Sequence, residues 1–257
     1  MIISIFNQKG GCGKSTTTIN LGAALAKQGR KVLVVDMDAQ ANTTNGVGID
    51  DEELEVTIYD LLISKKITYE KIKEVIKKTE YENLECLPSD IQLSNAEIEL
   101  ASAMSRETIL KKIIDKIKND YDYILIDSPP SLGLLSVNSL VASDKLIIPV
   151  NTSYFSVKGI KHLMNTFNLV KDNLNGKLEI MGVLITMFNS RKTIAKNIRE
   201  SLIEVFGDKV FDSVIRVDSK IEYSQDAQSP VIYFNNKCNS FNDYMSLSKE
   251  ILNYEQK

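Results

Sequence analysis

Short, unbroken runs of apolar residues recur along the chain, at 2–6, 32–35, 124–126, 146–150, 183–185 and 214–215. Solid rather than alternating runs are expected of strands covered on both faces, as in a buried parallel sheet. Between them lie helix-like segments over 14–28, 94–119, 136–142, 157–173 and 194–206. This strand-then-helix alternation predicts an α/β fold, doubly wound, with a mostly parallel sheet flanked by helices. No Pro/Gly/Ser linker, internal repeat or low-complexity tract interrupts the pattern, so one domain over 1–257 is expected. The stretch 49–88 is the least regular. Its Lys/Glu-rich part, 65–82, reads as a solvated helical face, and the whole stretch as an insertion on the sheet without chemistry.

Composition narrows the classes. A chain of 257 residues, 43% hydrophobic and with a net charge of −3, can bury a core without staples and is not disordered. Cys12, Cys86 and Cys238 are widely spaced and form no CxxC, which disfavours a disulfide framework or a zinc site and suggests a reducing, cytoplasmic location. His162 is the only histidine, so imidazole-based metal or triad chemistry has almost nothing to work with. The N-terminus lacks a basic n-region, and no apolar run approaches the ~18 residues of a membrane span, so neither a leader nor a span is expected.

The densest chemistry follows the first run: Asn7-Gln8-Lys9-Gly10-Gly11-Cys12-Gly13-Lys14-Ser15-Thr16-Thr17-Thr18, leading into a helix. Glycines let the backbone turn tightly and aim successive N–H groups at one anion. The following helix start adds its dipole and unpaired donors. Lys14 would then reach β- and γ-phosphates, and Ser15 would ligate Mg²⁺. The standard Gly-x-x-x-x-Gly-Lys-Ser/Thr pattern is broken at Gln8, and an additional lysine, Lys9, precedes paired glycines. A dinucleotide loop would need a third glycine where Thr16 stands, although Asp36 does close the second run. Cys12 reads as a small loop residue.

Carboxylates follow the other strands: Asp36 and Asp38 after the second run, Asp127 after the third. Aspartates favour turns and caps anyway. Together, beside a phosphate loop, they suit Mg²⁺ binding and orientation of an attacking water. After Asp127, Ser128-Pro129-Pro130-Ser131-Leu132-Gly133 is a constrained loop that could switch with the γ-phosphate.

KGGCGKSTTT, VLVVDMDAQANTT, YILIDSPPSLGLL and IIPVNTSYFSVKGI, in this order, resemble the deviant Walker A ATPases of the ParA/Soj/MinD group, and most of all its ParA/Soj partition branch. The resemblance runs from residue 2 to about 252. It implies a P-loop NTPase-like fold that binds ATP and Mg²⁺ through Lys9, Gly10, Gly11, Cys12, Gly13, Lys14, Ser15 and Thr16. Lys9 matches the signature lysine that reaches phosphates across a nucleotide-sandwich homodimer. Asp38 matches the residue that positions the hydrolytic water, and Asp36 and Asp127 the acidic positions near Mg²⁺. Slow hydrolysis, stimulated by a ParB-like centromere-binding protein, is likewise implied.

Family members bind double-stranded DNA without sequence preference as the ATP dimer, which implies nucleoid association. Here 191–199 carries Arg191, Lys192, Lys196 and Arg199 and no acidic residue. On a helix Lys192, Lys196 and Arg199 would share a face, suiting phosphate contacts, with Ile194, Ile198, Leu202 and Val205 roughly opposite and packed on the sheet. A solvated amphipathic helix is the plainer alternative. Arg191 and Lys220 fall where Soj-like proteins carry DNA-contacting arginines. The family's Pro-Arg-Asn loop, which helps hold adenine, is replaced by Arg216-Val217-Asp218; the resemblance implies nucleotide contacts from Arg216, Asp218 and Met187, with Asn189 beside them. The stretch 222–229 also departs from the family pattern. Because the sequence opens at the first strand, the DNA-reading extension of longer plasmid relatives is not expected.

Three rival functions are weaker. A MinD-like membrane-positioning ATPase would need a basic amphipathic C-terminal helix, but 248–257 balances two lysines with two glutamates, so no stable membrane anchor is expected. An iron–sulfur reductase would need cysteines near 128–133, where there are none. A carboxylate-activating synthetase would need a small-substrate pocket that the sequence does not reveal.

Overall fold

The solid apolar runs become adjacent strands. A computed structural model describes residues 1–152 and 157–254. Its strands are β1 (Ile2–Ile5), β2 (Val32–Asp36), β3 (Lys77–Lys78), β4 (Leu84–Leu87), β5 (Tyr123–Asp127), β6 (Lys145–Asn151), β7 (Glu179–Phe188) and β8 (Val210–Arg216). They form one sheet in the order β3-β4-β2-β5-β1-β6-β7-β8, parallel throughout except for β3. Helices cover both faces. On one, Leu21 and Leu25 of the helix Lys14–Lys27 pack with Tyr244, Leu247 and Ile251 of the helix Asn239–Tyr254. On the other, Leu110, Ile113 and Ile117 of the helix Ile109–Ile117 pack on Leu33, Val35 and Ile124. The α/β doubly wound expectation is met.

After β1 the chain crosses to β2 on one side, while β6 adds to β1 on the other. That reversal makes the C-terminal end of β1 the place where such sheets bind ligands. Register places Asp36 beside Asp127, and Asp127 beside Ile5.

Two elements differ from expectation. The stretch 49–88 is not merely an insertion on the sheet, because β4 is hydrogen-bonded to β2 and β3 borders it. Glu85 interrupts the apolar run of β4, yet it is accommodated by accepting a hydrogen bond from Tyr121 Oη at 2.5 Å. The expected helix 94–119 is broken into Leu93–Glu99 and Ile109–Ile117. Ser105 sits in the left-handed region at φ +54°, and Asn138 Oδ1 accepts from Leu110 N at 3.1 Å near the start of the second helix. The fourth family motif crosses residues 153–156, and the terminal stretch 248–257 includes 255–257; these lie outside the described residues.

Candidate functional site

Gly11 and Gly13 adopt φ of +65° and +89°, the left-handed conformation that a side chain would strain. Gly13 is also the residue from which the helix Lys14–Lys27 starts. The loop is held on several sides. Asn7 accepts from Lys9 N at 3.1 Å and donates to Pro149 O at 2.8 Å. Thr186 of β7 donates to Cys12 O at 2.8 Å, and Asn151 of β6 donates to Gly11 O at 3.2 Å. Lys14 is only 7% exposed, and its Nζ lies 3.4 Å from Lys9 O. Cys12 is buried, and burial raises its thiol pKa, as suits an inert loop residue.

Gly10, Gly11, Gly13, Lys14, Ser15, Thr16 and Asp38 line a cavity of about 450 Å³. Asp127 is fully buried; its Oδ2 accepts from Thr43 Oγ1 at 2.7 Å, while its Oδ1 is enclosed without a hydrogen-bond partner. An orphaned buried carboxylate oxygen beside a phosphate loop fits a cation site. Burial raises the carboxyl pKa of both Asp127 and Asp36, and for Asp36 the charge of Asp127 adds to it. Asp36 lies one layer behind: Asp38 N donates to its Oδ1, and Thr44 N and Oγ1 donate to its Oδ2. It supports the Asp38 turn rather than facing the cavity, and no cluster of three ligating side chains occurs among the described residues.

A second cavity, of about 430 Å³, adjoins the first through Gly11, Gly13, Thr16 and Gln225. Thr186, Met187, Ile215, Arg216, Val217, Asp218 and the buried Tyr244 also line it. Met187 holds a left-handed φ of +51° and receives a hydrogen bond from Asn151 at its sulfur. Strain of this kind collects at functional sites.

Arg216 and Asp218, expected to contact the nucleotide, have their charges engaged inside the protein. Arg216 forms a two-pronged ion pair with Asp243. Asp218 caps the helix Ser219–Asp226 through Lys220 N and also accepts from Ser240 N, each at 3.0 Å. Burial would raise its carboxyl, but these N–H groups outweigh it and hold the pKa low. Both residues build the cleft wall. Sequence reasoning missed Thr43, Thr44, Thr186 and Gln225; only the threonine pair, inside the second motif, carried a local signal.

The basic segment is also rearranged. Lys192 precedes the helix Thr193–Phe206 as its N-cap, and the buried stripe is Ala195, Ile198 and Leu202. Ile194 and Val205, expected to be inside, are 57% and 61% exposed. Arg199 lies four residues after Ala195 and three before Leu202, so it borders that stripe. Its Nε is enclosed, and it lines a groove with Ile180 and Phe211. Arg191, Lys192 and Lys196 are exposed, and Lys220 sits over the Tyr223 ring at 5.0 Å. No helix among the described residues is long and apolar enough to cross a membrane.

Known proteins resolve the class. A family described as an AAA domain matches residues 1–180. The chain is 42% identical over 250 residues to the sporulation initiation inhibitor protein Soj of Bacillus subtilis, covering 97% of each. It is 36% identical to the chromosome partitioning protein ParA of Caulobacter vibrioides, covering 99% of this chain and 95% of that one. Among solved structures, a cobyrinic acid a,c-diamide synthase from Mycobacterium smegmatis with ADP and magnesium aligns at TM-score 0.87, with 28% identity, over 100% of this chain and 95% of that one. The MinD protein of Pyrococcus horikoshii with Mg-ADP aligns at 0.79, also 28% identical, over 97% and 95%. The backbone is thus shared with a diamide synthase and a MinD protein, each 28% identical, while identity over nearly the full length rises to 42% and 36% with Soj and ParA: the chain belongs to the ParA/Soj family of partition ATPases.

Proposed function

We propose that this chain binds and hydrolyses ATP with Mg²⁺ as a partition switch whose ATP-bound homodimer holds double-stranded DNA without reading sequence. The observation that carries this reading is the convergence of Lys14, Ser15, Asp38 and the left-handed glycines on one cavity. Glycine N–H groups and the helix start bind the phosphates, and the Lys14 ammonium neutralises the β- and γ-phosphate oxygens. Ser15 and Asp127 would hold Mg²⁺, with Asp36 bracing the Asp38 turn from behind. When bound, the ion supplies charge neutralisation and alignment of the phosphates. Asp38, half-buried on the cavity wall, orients the attacking water. Lys9 contacts the nucleotide of a second copy, so ATP favours the dimer by as much as that contact is worth.

Arg191, Lys192, Lys196 and Lys220 provide phosphate contacts on DNA, and Arg199 is dropped from that set. A ParB-like protein stimulates hydrolysis and so releases DNA, on a chromosome, plasmid or other cargo. A MinD-like membrane role is the weaker reading, since Leu247, Ser248 and Ile251 of the last helix are buried against the protein.

The test is binding to a long duplex of arbitrary sequence with ATP, ADP or no nucleotide, at two salt concentrations. We expect ATP-dependent binding that weakens steeply with salt. Arg191→Ala with Lys220→Ala should weaken DNA binding and leave ATP binding intact. No DNA binding despite ATP uptake would overturn the partition reading and turn attention to liposomes.

A further inference from the structure

Four residues line both cavities of the nucleotide cleft: Gly11, Gly13, Thr16 and Gln225. The first three belong to the phosphate loop and the helix it starts. Gln225 arrives from 209 residues further along the chain, on the helix Ser219–Asp226, and its Nε2 donates to Thr16 Oγ1 at 3.1 Å. We infer that Gln225 is a nucleotide-contacting residue whose side-chain amide reads the sugar–phosphate junction, where the phosphate cradle meets the base cleft. The inference rests on the nucleotide-binding reading above and adds a residue to it.

Packing does not explain where this side chain lies, because Gln225 is exposed. Its backbone, by contrast, is fixed on both sides. Asp218 caps the helix start. Beyond its end, Ser229 N donates to Ser224 O at 2.9 Å, Gln228 turns out at φ +49°, and Val231 N donates to Asn20 Oδ1 at 2.7 Å. A fixed stem with an exposed amide is a reach toward something in the cleft. The chemistry suits a phosphate ester. While Thr16 Oγ1 accepts from Gln225, the Thr16 hydroxyl proton is left to donate to a ligand oxygen. The amide keeps a second N–H and an acceptor for the ligand. An amide at this seam also adds no negative charge next to Glu222, which lines the base cleft.

The test is calorimetric titration of the full-length chain and two variants, Gln225→Ala and Gln225→Glu, with ATP, ADP and adenosine. Losing one net hydrogen bond should weaken ATP and ADP by the same factor, about three- to tenfold in Gln225→Ala. Gln225→Glu should lose more than about tenfold, with a penalty that shrinks at high salt and is absent for adenosine. Unchanged ATP affinity in both variants would overturn the inference while leaving the nucleotide reading intact. So would a loss that includes adenosine and lowers the unliganded Tm, since that is loosening of the helix. Failure of the unaltered chain to bind ATP would instead defeat the nucleotide reading itself.

Discussion

The phosphate loop after β1 and the basic segment after β7 both leave the C-terminal end of a parallel strand, and both are dense in cations and small polar residues. Only the first gathers its groups around one cavity. In the loop, position is set by backbone: left-handed glycines, a helix start, the Lys9 N–H donated to Asn7, and loop carbonyls accepting from Asn151 and Thr186. In the basic segment, position is set by which stripe of a helix meets the sheet, and a shift of one residue in that stripe moves every side chain by about 100°. Chemistry anchored in the main chain survives transfer from sequence to fold. Chemistry projected from a helical wheel depends on a neighbour that the local sequence does not name.

The largest effect should come from the loop. Lys14 is nearly enclosed and faces the space that would hold the phosphates. Charge-assisted hydrogen bonds contribute about 1.5–3 kcal/mol each, so losing two of them in Lys14→Ala should weaken ATP at least about a hundredfold. Titration with ATP measures it. A loss no greater than that of a surface lysine, such as Lys196→Ala, would mean that the cradle is not where phosphate binds, and the contrast between the two regions would collapse.

A smaller effect isolates the backbone contribution. At Gly13 an added Cβ would meet Thr186 Cγ2 at 3.6 Å, ordinary contact, so space is not limiting. The left-handed φ is. Gly13→Ala should therefore cost about 1–2 kcal/mol, which appears as a lower Tm if the free loop keeps its shape, or as ATP binding weakened by roughly five- to thirtyfold if the free loop relaxes and must be restored on binding. An unchanged Tm together with unchanged ATP binding would show that the loop relaxes without cost, which would remove the physical basis of its legibility.

How much could be read in advance follows the same division. β1, β2, β5 and β6 were legible because their runs are solid and buried on both faces. β4 was not, because Glu85 interrupts it and finds its partner in Tyr121, 36 residues away. The break at 100–108 was hidden because Ser105 carries no glycine-like signal for its left-handed turn. Lys14, Ser15 and Asp38 reached the cavity from local motifs, whereas Thr186 and Gln225 reach it only through tertiary folding. Arg216 and Asp218 line the second cavity as their loop position suggested, but their ion pair with Asp243 and their helix cap depend on residues that the local sequence does not name.

The smallest effect decides between the two ways of reading the helix Thr193–Phe206. Each phosphate contact contributes about 0.9 to the slope of log affinity against log salt on duplex DNA. Lys196 is exposed on the helix, so Lys196→Ala should lower that slope by about one unit and weaken DNA binding at low salt. Arg199 borders Ala195 and Leu202, with its Nε enclosed beside Ile180 and Phe211. Arg199→Ala should leave the slope unchanged and instead lower Tm slightly, because its stem covers apolar surface. Equal slope changes in the two variants would restore the wheel-based face and extend the DNA surface toward the groove. A change confined to Lys196 would put its boundary between 196 and 199, set by where the helix turns from solvent to sheet.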